Sequence, residues 1–347
     1  MHTALHGDPA TRCLPLVTLY LTERCNSRCV TCDYWRSGRA TMTLQSVARL
    51  LPSLTELKTR FVLISGGEPL LNPEWAEIAR LLKSHDLTLW LLTSGLSLAK
   101  HAARVRELFT SVTVSLDGTN ARTYAAIRGI DAFDKVCEGI RRASALGAAV
   151  SVRVTVQRAN YKELPDFVAL ARDTGARQVS FLAADVSNPH AFGRTLPDGF
   201  AGDVGLRPDD LPKLERVLNA MERERAEDFA SGFIAESPQK LRRILDYYAA
   251  ICGRGDFPPV KCNAPEFSAV IEATGRVRPC FFIPGPAALK HSGLQKSLND
   301  AAMVSLRRDI REQRRAECVT CVCSMWRDLD TTAAPRFAFA GATESVA

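Results

Sequence analysis

Residues 16–32 read LVTLYLTERCNSRCVTC. The first six residues are a β-rich apolar run, and the rest is a loop carrying Cys25, Cys29 and Cys32 at spacings of four and three. A near-continuous apolar run suits a strand buried on both faces, the habit of parallel sheets. A cysteine loop directly after such a strand falls at its carboxyl end, where barrel active sites are assembled. Four thiolates complete a [4Fe–4S] cluster, whereas three leave one iron without a protein ligand and open to a substrate or cofactor. A zinc site is the alternative, but the spacing lacks the paired C-x-x-C form of a zinc ribbon.

Outward from this stretch, short β-rich runs alternate with amphipathic segments: LVTLYL (16–21), FVLIS (61–65), LTLWLLT (87–93), SVTVSL (111–116), VSVRVTV (150–156) and QVSFLA (178–183). Six βα units of this kind predict an α/β fold, a partial (β/α)6 barrel, with a small cysteine-bearing C-terminal domain after it. Phe133, Val136, Ile140, Ala143 and Leu146 mark one helical stripe, with Cys137 on it as a buried thiol. Pro52 predicts a kink in the first helix. After Asp185 the period is lost, and SNPHAFGRTLPDGFAGDVGLRP reads as a long functional loop. The expected division is a barrel over residues 1–205, a helical linker over 206–260, and a cysteine-bearing domain with its tail over 261–347. Within the linker, helices are expected near 209–228 and 237–251.

The 347 residues suit one barrel plus an appendage, and 46% apolar residues allow a sizeable core. No apolar run is long enough to span a bilayer. The N-terminal MHTALHGDPATRC has no cationic lead into an apolar stretch, so the expected compartment is the reducing cytosol. Eleven cysteines there point to metal rather than disulfides, with Cys13 read as structural. The net charge of +7 is scattered over arginines, and the densest basic run, LRRDIREQRR, has interleaved acids and no aromatic residues, so no nucleic-acid partner is expected.

The cysteine loop, SGGEPLL (65–71), VSLDG (114–118) and IRG (127–129) together resemble the radical S-adenosylmethionine (SAM) superfamily over roughly residues 14–185. The resemblance implies that Cys25, Cys29 and Cys32 hold a [4Fe–4S] cluster whose open iron takes SAM. By the same resemblance, Ser65, Gly66, Gly67 and Glu68 bind the methionyl amine, and Ser94, Ser115 and Asp117 meet the methionine moiety or ribose. Turn formation is the alternative for the last three, and helix capping or a surface role for Arg128, which could otherwise pair with the SAM carboxylate. The residue before the third cysteine, usually aromatic in the family, is Thr31, so adenine packing passes to Tyr34 or Trp35. The implied chemistry is reductive cleavage of SAM to a 5′-deoxyadenosyl radical that abstracts hydrogen from an unactivated carbon, with an electron donor such as flavodoxin or ferredoxin.

KCNAPEFSAVIEATGRVRPC places Cys262 and Cys280 in a C-x12-G-x4-C pattern, and ECVTC adds Cys318 and Cys321. This resembles the twitch domain, the shorter relative of the SPASM domain, and implies one auxiliary [4Fe–4S] cluster, with Cys323 or Cys252 as substitute ligands. A Cys₄ zinc knot is the alternative. Glu272 reads either as the opener of a hairpin turn or as a substrate-facing acid or base, and His190 either as a substrate contact or as loop packing. Arg194 and Arg278 are basic residues near the expected site. The expected substrate is a small molecule, a nucleoside hexuronic acid that loses CO₂. Dehydrogenation of an aminocyclitol, peptide maturation, and a non-catalytic iron–sulfur or zinc protein are the alternatives.

Overall fold

The computed structural model describes residues 10–194, 200–289 and 293–327. Six parallel strands, β1 (Leu16–Thr22), β2 (Phe61–Gly66), β3 (Thr88–Thr93), β4 (Ser111–Ser115), β5 (Val150–Val156) and β6 (Gln178–Ala183), lie side by side in chain order. Each is bounded within a residue or two of its expected position. β7 (Ser268–Ile271) then pairs parallel to β1, and β8 (Arg276–Arg278) and β9 (Ala287–Ala288) follow antiparallel, making one nine-stranded sheet. The C-terminal cysteine segment thus continues the barrel sheet past β1.

Alternation along the strands separates two environments. One face carries Val17, Leu19, Val62, Ile64, Leu89, Leu91, Val112, Val114, Val152 and Val154 into the main core. It packs against helices that include α1 (Leu98–Leu108), α2 (Ala121–Arg128), α3 (Phe133–Ala145) and α4 (Leu164–Asp173). Cys137 is buried on α3, as its stripe requires, but Leu146 is the C-cap of that helix and is exposed, so the stripe ends at Ala143. The opposite, inner face has two halves. On β1 to β3 it is apolar, with Leu16, Phe61, Leu63 and Trp90 under Ala264 and Phe267 from the segment before β7. Phe61 stacks on Trp90 at 4.8 Å, and burial of a side chain such as Phe61 contributes roughly 1.5–3 kcal/mol. On β4 to β6 the inner face is hydroxylated: Trp90 is in register with Ser111, and beyond it stand Thr113, Ser115, Ser151, Thr155 and Ser180.

The first helix breaks as Pro52 requires, into Leu44–Ala48 and Leu51–Glu56, with the proline in the first turn of the second piece. Further on, α5 (Leu211–Glu224), a short helix Ala226–Ala230 and α6 (Pro238–Ile251) fill the linker. The long loop after β6 is built rather than open. It holds a helical turn at Ala191–Gly193 and a helix at Phe200–Val204, with residues 195–199 outside the described residues. Among the described residues no helix is long and apolar enough to cross a membrane.

Candidate functional site

All six parallel strands deliver their carboxyl ends to one rim, and the cysteine loop occupies it after β1. Two backbone supports fix that loop. On one side Gly67 N–H donates to Thr22 O at 2.7 Å and Glu68 N–H to Arg24 O at 2.8 Å. A Cβ on Gly67 would stand 2.4 Å from Arg24 O, and Gly66 has φ +128°, so both positions require glycine. The close approach that the two glycines permit is therefore to the chain's own cysteine loop. On the other side the C-terminus of α2 offers its last carbonyls: Arg28 N–H donates to Arg128 O and Val30 N–H to Ile127 O. Gly129, left-handed at φ +69°, ends that helix against Arg28, whose carbonyl leaves no room for a side chain.

Glu68 is fully buried, and its carboxylate is satisfied within the chain. Oε1 accepts from Leu70 N–H at 3.1 Å and Thr93 Oγ1 at 2.9 Å, and Oε2 from Ser94 N–H at 2.7 Å and Ser94 Oγ at 2.6 Å. These donors fill the roughly four acceptor sites of a carboxylate. An ammonium group reaches Glu68 only by displacing one of them, and Ser94 Oγ has Asn26 Oδ1 at 3.2 Å as an alternative neighbour. Thr93 is a partner the motif reading missed, because its role depends on contact with β2 rather than on local pattern. Asp117 accepts Thr155 N–H at 2.7 Å and Arg128 Nη1 at 3.0 Å, and both members of that ion pair are almost wholly buried. The surface reading of Arg128 is thereby overturned. Ser65 is buried at the end of β2, and Ser115 is half-buried at the end of β4.

Cys25, Cys29 and Cys32 stand together beneath these supports. Burial pushes the Cys25 thiol up to about 11 and Cys32 to about 12, and raises Cys29 as well. Such thiols become thiolates only when a metal takes the proton's place. Beside them, Ser27 Oγ and Arg128 Nε are buried and have no hydrogen-bond partner among the described residues. Unsatisfied buried polar atoms at the lip of a thiol trio fit a loop built to receive a polar body. Among the described residues no three His, Cys, Asp or Glu side chains converge on a single ion. Of the two residues considered for adenine packing, Trp35 donates its Nε1–H to Cys29 O, and Tyr34 lies edge-on to Tyr20 with its hydroxyl accepting from Arg278 at 3.2 Å.

Cys262, Cys280, Cys318, Cys321 and Cys323 line one pocket with Phe281, Phe282, Ile283 and Met325. Burial raises Cys280 to about 11 and Cys318 to about 12, and raises Cys321 and Cys323 too. The pocket is closed by a zip in which Asn263 N–H donates to Met325 O and Arg327 N–H to Asn263 Oδ1. Cys252 is not part of it: it caps α6 with Sγ 3.3 Å from Leu206 O, so of the two substitutes only Cys323 is in place. Cys13 is exposed and holds no core position.

Both arginines expected near the site have other duties. Arg194, buried, donates to the carbonyls of Ala191, Asn188 and Asp185 and so folds the loop after β6. Arg278, 3% exposed, donates to Ile283 O, Phe281 O, Tyr34 Oη and Glu272 Oε1, with His190 O at 3.5 Å. It ties the cysteine loop to the hairpin that bears Cys280. Neither guanidinium is open to a substrate carboxylate. Glu272 serves the turn, since its carbonyl accepts from Gly275 N–H, and its side chain faces Arg278 at 3.0 Å. His190 is exposed, with its backbone engaged in the same loop.

Residues 19–171 match the family model of the Radical SAM superfamily. A GTP 3′,8-cyclase of Haemophilus influenzae is 31% identical over 176 residues, which is 48% of this chain and 52% of that protein. The mycofactocin maturase MftC of Mycobacterium tuberculosis is 29% identical over 175 residues, 49% of this chain and 44% of that one. The chain spans about half the length of the curated relatives it matches. In fold it is similar to Streptococcus suis SuiB bound to S-adenosylmethionine, with a TM-score of 0.62 at 14% identity over 85% of this chain and 68% of that one. It is also similar to anSMEcpe with bound AdoMet and a Cp18Cys peptide, with a TM-score of 0.62 at 19% identity over 89% and 86%.

Proposed function

We propose that this chain is a radical SAM enzyme that binds SAM at a [4Fe–4S] cluster and acts on a carbohydrate-type small molecule, decarboxylating a nucleoside hexuronic acid of the cytosylglucuronate kind; the match of residues 19–171 to the Radical SAM superfamily model supports the first part. The observation that carries the reading is the trio of raised thiols at the barrel rim, gripped by Gly66, Gly67 and Gly129 and flanked by unpartnered Ser27 Oγ and Arg128 Nε. When bound, SAM and the cluster supply one-electron cleavage of the sulfonium and hydrogen abstraction from carbon.

The chain's own residues do the rest. Cys25, Cys29 and Cys32 would hold the iron as thiolates. The Asp117–Arg128 pair holds a cation beside them, and Ser94 turns between Glu68 and Asn26 to admit an ammonium. Cys262, Cys280, Cys318 and Cys321 hold an auxiliary [4Fe–4S] cluster, with Cys323 as a fifth thiol in the same pocket. Such a cluster, when bound, would supply a one-electron store suited to a redox-neutral decarboxylation, with a ferredoxin or flavodoxin type protein as the external donor. The hydroxylated inner face of β4 to β6 supports a sugar-like substrate, because Ser and Thr hydroxyls both donate and accept.

A peptide substrate is the second reading, favoured by the similarity to a maturase. The discriminating test is anaerobic incubation with SAM, reductant and a panel of uronic-acid nucleosides, aminocyclitols and short peptides, following deoxyadenosine and product mass. Loss of CO₂ coupled to SAM cleavage supports decarboxylation. Loss of two hydrogens from an aminocyclitol assigns a dehydrogenase, and turnover on peptides alone overturns the small-molecule reading.

A further inference from the structure

One cation on the inner barrel wall has no structural duty that consumes it. Arg153 lies at the centre of β5, in register with Ser115 of β4 and Ser180 of β6, so its side chain shares the hydroxylated inner face. Its Nε donates to Ser180 Oγ at 2.8 Å, which fixes the plane of the guanidinium. No hydrogen bond or ion pair engages its two terminal nitrogens among the described residues, in contrast to Arg194 and Arg278, whose terminal nitrogens are taken by carbonyls and by Glu272. A guanidinium on the inner wall of a barrel whose terminal nitrogens make no hydrogen bond keeps donors available to a visiting anion.

The surroundings define that anion. Glu236 is anchored by accepting Phe181 N–H at 2.8 Å, next to Ser180, and Arg153 and Lys240 both act on it electrostatically. The same two cations act on the buried thiol of Cys323, so the patch lies between the barrel wall and the second cysteine set. With two positive groups and one negative one, it suits a singly charged ligand better than a dianionic phosphate. A guanidinium held by Nε presents its two terminal nitrogens as a fork, the geometry that takes a carboxylate at two points.

We propose that Arg153 is the anchor for the carboxylate of the substrate, with Ser115 and Thr155 of the same wall meeting its hydroxyls. The assignment rests on the small-molecule reading above and names the residue that would hold that substrate's carboxylate. It places the carboxylate beside the C-terminal cysteines, opposite the half of the inner face that is filled by Phe61 and Trp90.

The test uses reconstituted protein with SAM bound and measures affinity for D-glucuronate, D-glucose and glucose 6-phosphate by saturation-transfer NMR titration. The parent protein is expected to prefer glucuronate over glucose by about tenfold or more, the range of one charge-assisted hydrogen-bonded contact. Arg153→Gln should remove that preference, and Arg153→Lys should keep part of it. Ser180→Ala, which frees the fork without removing the charge, should weaken glucuronate binding less than Arg153→Gln and provides a reading if the latter fails to fold. Absence of a preference in the parent, or its persistence in Arg153→Gln, overturns the proposal, as does tighter Arg153-dependent binding of the phosphate. Deoxyadenosine formation by the parent protein, measured alongside, separates the two levels. If SAM is cleaved but no acid is preferred, only the Arg153 assignment falls, and if SAM is not cleaved the radical SAM reading falls with it.

Discussion

Glu68 shows how a motif residue acquires a second role on folding. Its four internal donors make it the buttress between the ends of β2 and β3, so Glu68→Ala leaves Leu70 N–H, Thr93 Oγ1 and Ser94 N–H without their acceptor. Orphaned buried donors cost about 1–3 kcal/mol each and do not add fully, so a stability loss of about 2–4 kcal/mol is expected in denaturant titration, together with weaker SAM binding. Glu68→Gln, which keeps an acceptor oxygen, should recover much of the stability. An unchanged unfolding midpoint in Glu68→Ala would leave only the ligand role. Cys29→Ala should abolish deoxyadenosine formation while the fold persists by circular dichroism, because the loop then offers two thiols in place of three. That Cys25, Cys29 and Cys32 stand together was legible from their spacing after β1. The duties of Arg194 and Arg278 were not, since the carbonyls that absorb their donors come from loops whose paths no local pattern fixes.

At the scale of elements, the strands could be read because β1 to β3 are near-continuous apolar runs and β4 to β6 β-rich runs that alternate apolar with polar residues, each between turn signals, and helices between them follow. β7 could not: it has four residues, and its partner β1 is some 250 positions away in the chain. Its pairing turns the second cysteine segment into an extension of the barrel sheet. The junction between α2 and the cysteine loop was likewise hidden, although IRG marked its place. Gly129→Ala forces a side chain into a left-handed position and against Arg28 O, so the loop must shift. The expected result is loss of the first cluster's iron with the second set still loaded, read by iron analysis and Mössbauer spectroscopy. Full loading would show that the loop tolerates movement. Arg278→Met tests the other junction. Removing Arg278 leaves Glu272 only the more distant Arg276, at 3.9 Å, and the Ile283 and Phe281 carbonyls without their donor, so a loss of about 1–3 kcal/mol is expected, partly restored in the double variant with Glu272→Gln. No change in stability would mean that Arg278 is free to serve a substrate instead.

At the scale of the whole molecule, the two cysteine sets differ in what they hold together. The first lies on a rim whose supports, Gly67, Glu68 and Arg128, are already bonded to the barrel. The second closes the plug over the inner face: Cys262 precedes Ala264 and Phe267, Cys280 precedes Phe281, and the segment after Cys323 is zipped to Asn263. Reconstituted protein should carry about eight irons, four per cluster, and a Cys25/Cys29/Cys32 triple alanine variant about four. Iron near four in the parent, with stoichiometric zinc, would assign the second set to zinc. A ligand that binds only the folded chain adds its binding free energy to stability, and it adds most where no other contact closes the structure. Cys262→Ala with Cys280→Ala should therefore lower the thermal midpoint more than the triple variant does, although it removes fewer thiols. The reverse order would mean that the plug is held by Phe267, Phe281 and Met325 packing alone, and that the second set serves chemistry without serving the fold.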